Sequence, residues 1–98
     1  MKPCKRLEIV IEQPLARRLA ERLDELGAPG YTVLSNASGR GDRGLRRGDE
    51  VTDTFTNCVF IVACDDDTTV ERIVEGVRSL ITRSGGVCLV SDALWVRH

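Results

Sequence analysis

The sequence predicts an α+β domain whose elements follow the order β-α-β-β-α-β, with a long loop between the second and third strands. Three observations lead to this prediction. Four short runs are rich in β-branched and other apolar residues. Two longer stretches repeat apolar residues at helical spacing, and the stretch from Asn36 to Phe55 follows neither period. Split βαβ units in this order form a ferredoxin-like antiparallel sheet with both helices on one face.

The composition describes one ordinary globular domain. The 98 residues are 42% hydrophobic and 30% charged, with a formal net charge of −1, and we assign 1–98 to a single domain. This charge argues against a general nucleic-acid binder. No apolar run is long enough to span a bilayer, and the first ten residues hold no signal-peptide core, so we expect a cytoplasmic location.

The first strand and the first helix precede Gly27. Leu7–Ile11 reads LEIVI, which is typical of a strand. Pro14 suits the first turn of a helix, because its missing N–H needs no partner there. Gly27 is expected to end the helix in a left-handed conformation. Between them runs an apolar stripe at spacings of four, four and three, made of Leu15, Leu19, Leu23 and Leu26.

The second and third strands are predicted at Tyr31–Leu34 and Cys58–Cys64. The latter, CVFIVAC, is nearly continuous apolar sequence, as expected for a central strand. It has too few polar residues to leave its second face in water. We therefore expect sheet faces to meet between subunits.

The second helix is predicted to follow Asp65–Asp67, with Thr68 and Glu71 as a capping box. Acidic residues stabilise the positive end of a helix, so we prefer this interpretation of the aspartates to a metal cluster.

The end of the chain supplies the remaining strands. Gly85 and Gly86 are expected to break the second helix, and Val87–Val90 is the predicted fourth strand. Ala93–Val96 is a candidate for a short fifth strand.

The stretch Asn36–Phe55, here called the glycine–arginine segment, carries the main functional signal. Its Gly39-x-Gly41-x-x-Gly44 spacing matches a dinucleotide fingerprint, but it neither follows the first strand of a βαβ unit nor opens a helix, so we reject that interpretation. Glycines let backbone N–H groups converge on an anion, and arginines spaced by three can bind phosphate or carboxylate. A solvated insert with no ligand is the open alternative.

Catalytic and metal-binding patterns are missing from the sequence. The one histidine is the last residue, and the four cysteines have no C-x-x-C spacing. No Ser-His-Asp or Cys-His set can be assembled. We predict no catalytic residues, no metal site, no cofactor and no enzymatic activity.

Gly27–Val33 (GAPGYTV) leading into Gly39–Arg46 (GRGDRGLR) resembles the PII-like signalling proteins. The likeness extends from Lys5 to about Val96. It is greatest to the branch associated with carboxysomes and bicarbonate transport, in which a G-x-G-x-R-x-x-R segment opens a long T-loop. That loop would span about residues 36–56. The glycine–arginine segment has no tyrosine, so it lacks the uridylylation acceptor of the nitrogen-regulating PII proteins.

The resemblance implies a homotrimer that binds adenine nucleotide, AMP or ADP, in clefts between subunits. Arg43 and Arg46 would hold the phosphates. Backbone near Asn36 and Ala37, together with backbone near Gly86 to Cys88 of the neighbouring subunit, would enclose base and ribose. The implied nucleotide-binding residues are Asn36, Ala37, Gly39, Gly41, Arg43, Arg46, Gly86, Val87 and Cys88. Bicarbonate would bind beside the nucleotide, with help from Arg40 or Arg47.

The same resemblance implies how the protein signals. Ligand binding would order the T-loop, which would engage or release a protein partner related to carboxysomes or bicarbonate transport, in inorganic-carbon regulation. The competing hypothesis is a structural or interaction module on the same fold, either microcompartment shell-like or a small-molecule regulatory domain. An RNA-binding domain is disfavoured because Phe60 is the only aromatic residue in the third strand.

Overall fold

The computed structural model describes residues 1–38 and 56–96 and contains the predicted order of elements. A short 3-10 helix, Gln13–Leu15, with Pro14 near its start, joins the first strand to the first helix. Most of the glycine–arginine segment, residues 39–55, lies outside the described residues. The elements are β1 Lys2–Glu12, α1 Ala16–Glu25, β2 Thr32–Ser38, β3 Thr56–Cys64, α2 Asp67–Ser84 and β4 Val87–Trp95.

The four strands form one antiparallel sheet in the order β2-β3-β1-β4. Leu7 of β1 pairs with Val62 of β3 on one side and with Val90 of β4 on the other. The predicted central position of β3 is confirmed, and β2 and β4 are the two edges. The ferredoxin-like fold predicted from the sequence is thus confirmed.

The hydrophobic core lies between the helices and one face of the sheet. Alternate residues of β1, namely Leu7, Ile9 and Ile11, are fully buried, as the period of two in a strand requires. Leu19 and Leu23 of the predicted stripe are fully buried against them. The core cluster consists of Leu7, Ile9, Ile11, Leu19, Leu23, Cys58, Phe60, Val62, Cys64, Val70, Ile73, Val77 and Leu80.

Both helices end at left-handed glycines, as predicted for Gly27; for Gly85 only the break in the helix was predicted. Gly27 has φ 83° and Gly85 has φ 71°. After α1, the N–H of Ala28 donates to the carbonyl of Leu23 over 3.0 Å, the long bond of a Schellman cap. These turns fix where the chain enters β2 and β4.

Two boundaries differ from the prediction. Helix α2 is capped by Asp66, not by a Thr68–Glu71 capping box: Asp66 has extended backbone and its carbonyl accepts the N–H of Val70 at 3.0 Å. The fifth strand expected at Ala93–Val96 is not a separate element, because β4 runs unbroken to Trp95 along β1. The sequence underestimated both β1 and β4, since their paired ends lack a continuous apolar run.

The second face of the sheet carries no helix among the described residues, and we call it the helix-free face. Pairing places Leu34, Val59, Val10 and Val87 in one row across all four strands. The exposed fractions of Leu34 (51%) and Val87 (38%) are large for aliphatic side chains. The next row, Thr32, Ile61, Glu8 and Leu89, has an ion pair at its centre, where Glu8 bonds Arg6 over 2.6 Å.

Candidate functional site

One half of the predicted site lies where β2 ends. The pairing of β2 with β3 skips a position between Leu34 and Ala37, which marks a bulge. Asn36, inside the bulge, has φ 62°, and it is the only non-glycine residue with a positive φ in the part of the chain that the structure describes. Its backbone N–H donates to Oε1 of Gln13 over 3.1 Å. The backbone at Asn36 and Ala37 is therefore turned out of the regular strand path.

The other half lies where α2 turns into β4. The N–H of Gly86 donates to the carbonyl of Ile81 over 3.0 Å, which closes the end of the helix. A Cβ at Gly86 would stand 2.5 Å from the carbonyl oxygen of Val10 and 2.8 Å from Cγ2 of Ile11. The turn can pass this close to β1 only because residue 86 has no side chain.

The two halves lie at the same end of the sheet but on opposite edges. Ala37 pairs with Asn57 of β3, while Val87 pairs with Val10 of β1. Three inter-strand spacings of ~4.8 Å put roughly 14 Å between the edge strands. A single subunit therefore does not bring the predicted base-and-ribose residues together.

The predicted anion-binding residues lie outside the described residues. These are Gly39, Gly41, Arg43 and Arg46 for the nucleotide, and Arg40 and Arg47 for bicarbonate. The residues that flank this stretch, Ser38 and Thr56, pair with each other across β2 and β3. The chain thus leaves and re-enters the sheet at the same point, beside Asn36 and Ala37.

The structure also shows a hollow that the sequence did not predict, with a volume of about 300 Å³. This volume is at the lower end of the range for ligand pockets. Its walls combine the turn before β2, the helix-free face of β3 and an aromatic ring from the end of β4. The lining residues are Pro29, Gly30, Tyr31, Thr32, Ile61, Ala63 and Trp95.

No local signal in the sequence points to this hollow. The sequence predicts Tyr31 as the start of the second strand. In the structure its ring packs on Phe60 with ring centroids 5.4 Å apart. Trp95 was assigned to a separate fifth strand. Only the continuous pairing of β4 with β1 brings Trp95 to this end of the helix-free face.

Two cysteines have mainly apolar surroundings: Cys58 belongs to the hydrophobic core, and Cys88 packs against it. Burial raises the pKa of the Cys58 thiol. Burial also raises the pKa of Cys88, and the positive charge of Arg78 opposes this rise only in part. A protonated thiol is a weak nucleophile. At neutral pH these side chains therefore act as small apolar groups.

Metal and membrane sites can be assessed for the described ranges only. Within residues 1–38 and 56–96, no three His, Cys, Asp or Glu side chains are placed to hold a metal ion. Neither α1 nor α2 is both long and apolar enough to cross a membrane.

Comparison with known proteins identifies a matching family and similar structures. The sequence model of the family described as Nitrogen regulatory protein P-II matches residues 4–98. CPII from Thiomonas intermedia K12, a nitrogen regulatory PII-like protein bound to ADP, AMP and bicarbonate, is 28% identical with a TM-score of 0.80, and the match covers 98% of this chain and 96% of that one.

Two further structures resemble the chain. CPII bound to ADP and bicarbonate matches at 30% identity and a TM-score of 0.78, over 97% of this chain and 90% of that one. The GlnK–ATP complex of B. subtilis is 14% identical with a TM-score of 0.67, over 95% of this chain and 84% of that one. At this low identity, the last comparison supports the fold alone.

Proposed function

The chain belongs to the nitrogen regulatory protein P-II family, and from this we propose that it is a non-enzymatic sensor, a homotrimer that binds AMP or ADP in clefts between subunits. Bicarbonate binds beside the nucleotide in this proposal. Binding orders the T-loop, which engages a protein partner in inorganic-carbon regulation in the cytoplasm, at carboxysomes or bicarbonate transporters. Structures of CPII from Thiomonas intermedia K12 with ADP, AMP and bicarbonate support the choice of ligands.

The observation that carries the proposal is the division of the site between two sheet edges. Asn36 and Ala37 lie on edge strand β2, whereas Gly86 to Cys88 lie on or beside edge strand β4. When the β2 edge of one copy faces the β4 edge of the next, the two halves meet. A head-to-tail contact of this kind closes into a ring when the rotation fits, and the family resemblance indicates three subunits.

The helix-free face supports an oligomer for a separate reason. Its central row is aliphatic on all four strands, and the exposed fraction of Leu89 in the next row is 56%. A monomer that kept this face in water would expose an extended apolar patch, which usually marks an interaction surface. Packing these faces around a common axis removes the patch and leaves the helices outside.

Arginine chemistry supports the phosphate contacts. Arg43 and Arg46 are three residues apart, and a planar guanidinium group can bind two phosphate oxygens at once. Gly39 and Gly41 leave room for backbone N–H groups to approach the same anion. Arg40 and Arg47 are the candidates for bicarbonate. The pairing of Ser38 with Thr56 brings both ends of this stretch beside Asn36.

Calorimetry tests the proposed function. Wild-type protein is titrated with AMP, ADP, ATP and cyclic AMP, each with and without bicarbonate, and light scattering measures its mass. We expect a trimer that binds AMP or ADP. The double variant Arg43→Ala, Arg46→Ala should lose most of this affinity, whereas Arg17→Ala on the exposed side of α1 should not. Unchanged binding in the double variant would remove the proposed phosphate site.

The same experiments separate the sensor from the alternative, a structural or interaction module. The exposed helix-free face is compatible with both. A shell-like assembly module would form hexamers and bind no nucleotide. A hexameric mass, together with no heat of nucleotide binding, would therefore exclude the sensor and favour the assembly module.

A further inference from the structure

We infer that Gln13 is a positioning residue of the proposed nucleotide site, because its side chain holds the backbone of Asn36 in the left-handed conformation. The inference rests on the proposed function, since Asn36 and Ala37 matter to a ligand only if nucleotide binds beside them. Gln13 itself does not belong to the predicted site.

The backbone at Asn36 needs outside support. Its φ of 62° lies in a region that non-glycine residues seldom occupy, although asparagine tolerates it better than most. The bulge between Leu34 and Ala37 interrupts the ladder at this position. An extra residue in a bulge is left without a ladder partner, so its N–H must find another acceptor.

Gln13 supplies that acceptor across the end of β3. Its Oε1 atom accepts the N–H of Asn36 at 3.1 Å, a normal length for such a bond. Gln13 is the first residue of the short 3-10 helix that follows β1, so the acceptor comes from the end of the neighbouring central strand.

This bond controls how much of the protein is ready to bind. Backbone contacts at Asn36 and Ala37 require one arrangement of the bulge. When only a fraction of the molecules has that arrangement, the apparent dissociation constant rises by the inverse of the fraction. Loss of the Gln13 acceptor lowers the fraction, so nucleotide affinity falls although no ligand contact is removed.

Three variants test the inference. Gln13→Met keeps the length of the side chain but removes the amide oxygen. Gln13→Glu keeps an oxygen acceptor at the same position. Glu21→Gln, on the exposed surface of α1, is the control. Each is titrated with AMP in about 0.3 M salt, which screens the added charge of Gln13→Glu. NMR hydrogen exchange reports on the Asn36 amide.

The expected result is specific to this bond. Gln13→Met should bind AMP about three- to tenfold more weakly, with faster exchange of the Asn36 amide and an unchanged mass in light scattering. Gln13→Glu should restore slow exchange and bind AMP more tightly than Gln13→Met. Glu21→Gln should match the wild type in both measurements.

Failure of this inference is distinguishable from failure of the proposed function. A wild type that binds AMP, together with a Gln13→Met variant that binds it equally well, overturns the positioning role alone. Equal weakening in Gln13→Met and Gln13→Glu assigns the effect to packing and also overturns it. A wild type that binds no adenine nucleotide overturns the proposed function and this inference together.

Discussion

Replacement of Gly86 by alanine tests the tight turn between α2 and β4. The added Cβ would stand 2.5 Å from the carbonyl oxygen of Val10, 2.8 Å from Cγ2 of Ile11 and 3.2 Å from Oγ of Ser84. The first of these atoms belongs to the backbone of a central strand, so it cannot move aside as the tip of a side chain would. The turn must instead lift away from β1.

The size of the effect follows from two opposing contributions. Overpacking in a dense region costs about 1–3 kcal/mol. Alanine also lowers the conformational entropy of the unfolded chain, which stabilises the folded state by about 0.4–1 kcal/mol. This gain applies because Gly86 has no left-handed φ that alanine would have to adopt. The middle of the first range less the middle of the second leaves an expected net loss of about 1.3 kcal/mol in the free energy of unfolding.

Urea denaturation of Gly86→Ala measures this loss, with Gly30→Ala as the matched control. No atom lies within 4 Å of a Cβ built at Gly30, so the control should stay within about 0.5 kcal/mol of the wild type. Protein concentration is held constant, because subunit association contributes to apparent stability. If both variants unfold at the wild-type midpoint, the contact with Val10 does not restrict residue 86 and the reasoning fails.

Three other substitutions test separate parts of the structure. Gly76→Ala adds a methyl group 2.5 Å from the ends of the flexible Leu26 side chain, while alanine in a helix interior gains about 0.5–1 kcal/mol over glycine. Urea denaturation should therefore show a smaller net loss, below about 0.5 kcal/mol, and a loss above about 1 kcal/mol would mean that Leu26 cannot move. The hydrogen bond from the Thr69 hydroxyl is the chief cause that lowers the pKa of Asp66, so the carboxylate stabilises the fold above its ordinary pKa and this contribution disappears as pH falls through the lowered value. The melting temperature of Asp66→Asn should therefore depend less on pH across that acidic range than that of the wild type. An equal dependence on pH in the two proteins would contradict this. Leu89→Asp, on the helix-free face, should dissociate the proposed trimer in light scattering, whereas Leu94→Asp, equally exposed on the other face of β4, should not; equal behaviour of the two would exclude a trimer held by that face.

The sequence predicted most of the fold because its local signals agree with one another. The leucine stripe of α1, the left-handed glycines and the apolar run in β3 are all encoded by neighbouring residues. The start of β1 was missed because Lys2 to Arg6 carries no apolar alternation. These residues become strand by pairing with β4 and, at Lys5 and Arg6, also with β3. The end of β4 was missed because Ser91 and Asp92 interrupt its apolar run.

The site was less predictable because its geometry depends on contacts between distant parts of the chain. The left-handed conformation of Asn36 requires a bulge against β3 and a hydrogen-bond acceptor for its N–H from Gln13. The residues around position 36 indicate neither of these. The hollow beside Tyr31 depends on Trp95 in the same way. The residue types for anion binding were visible in the sequence, whereas the division of the site between subunits was implied by the family resemblance alone.

The pairing of Ser38 with Thr56 has a consequence for how such proteins diversify. The two strands hold both ends of the intervening stretch at a fixed separation. Residues 39–55 can therefore be replaced by another sequence without changing the pairing of β2 with β3. The free-energy cost of closing a loop, which is entropic, grows slowly, by about 0.6 kcal/mol for each doubling of the loop length. A lineage could therefore acquire a new docking partner through this insert alone, while the sheet and the core remain as they are.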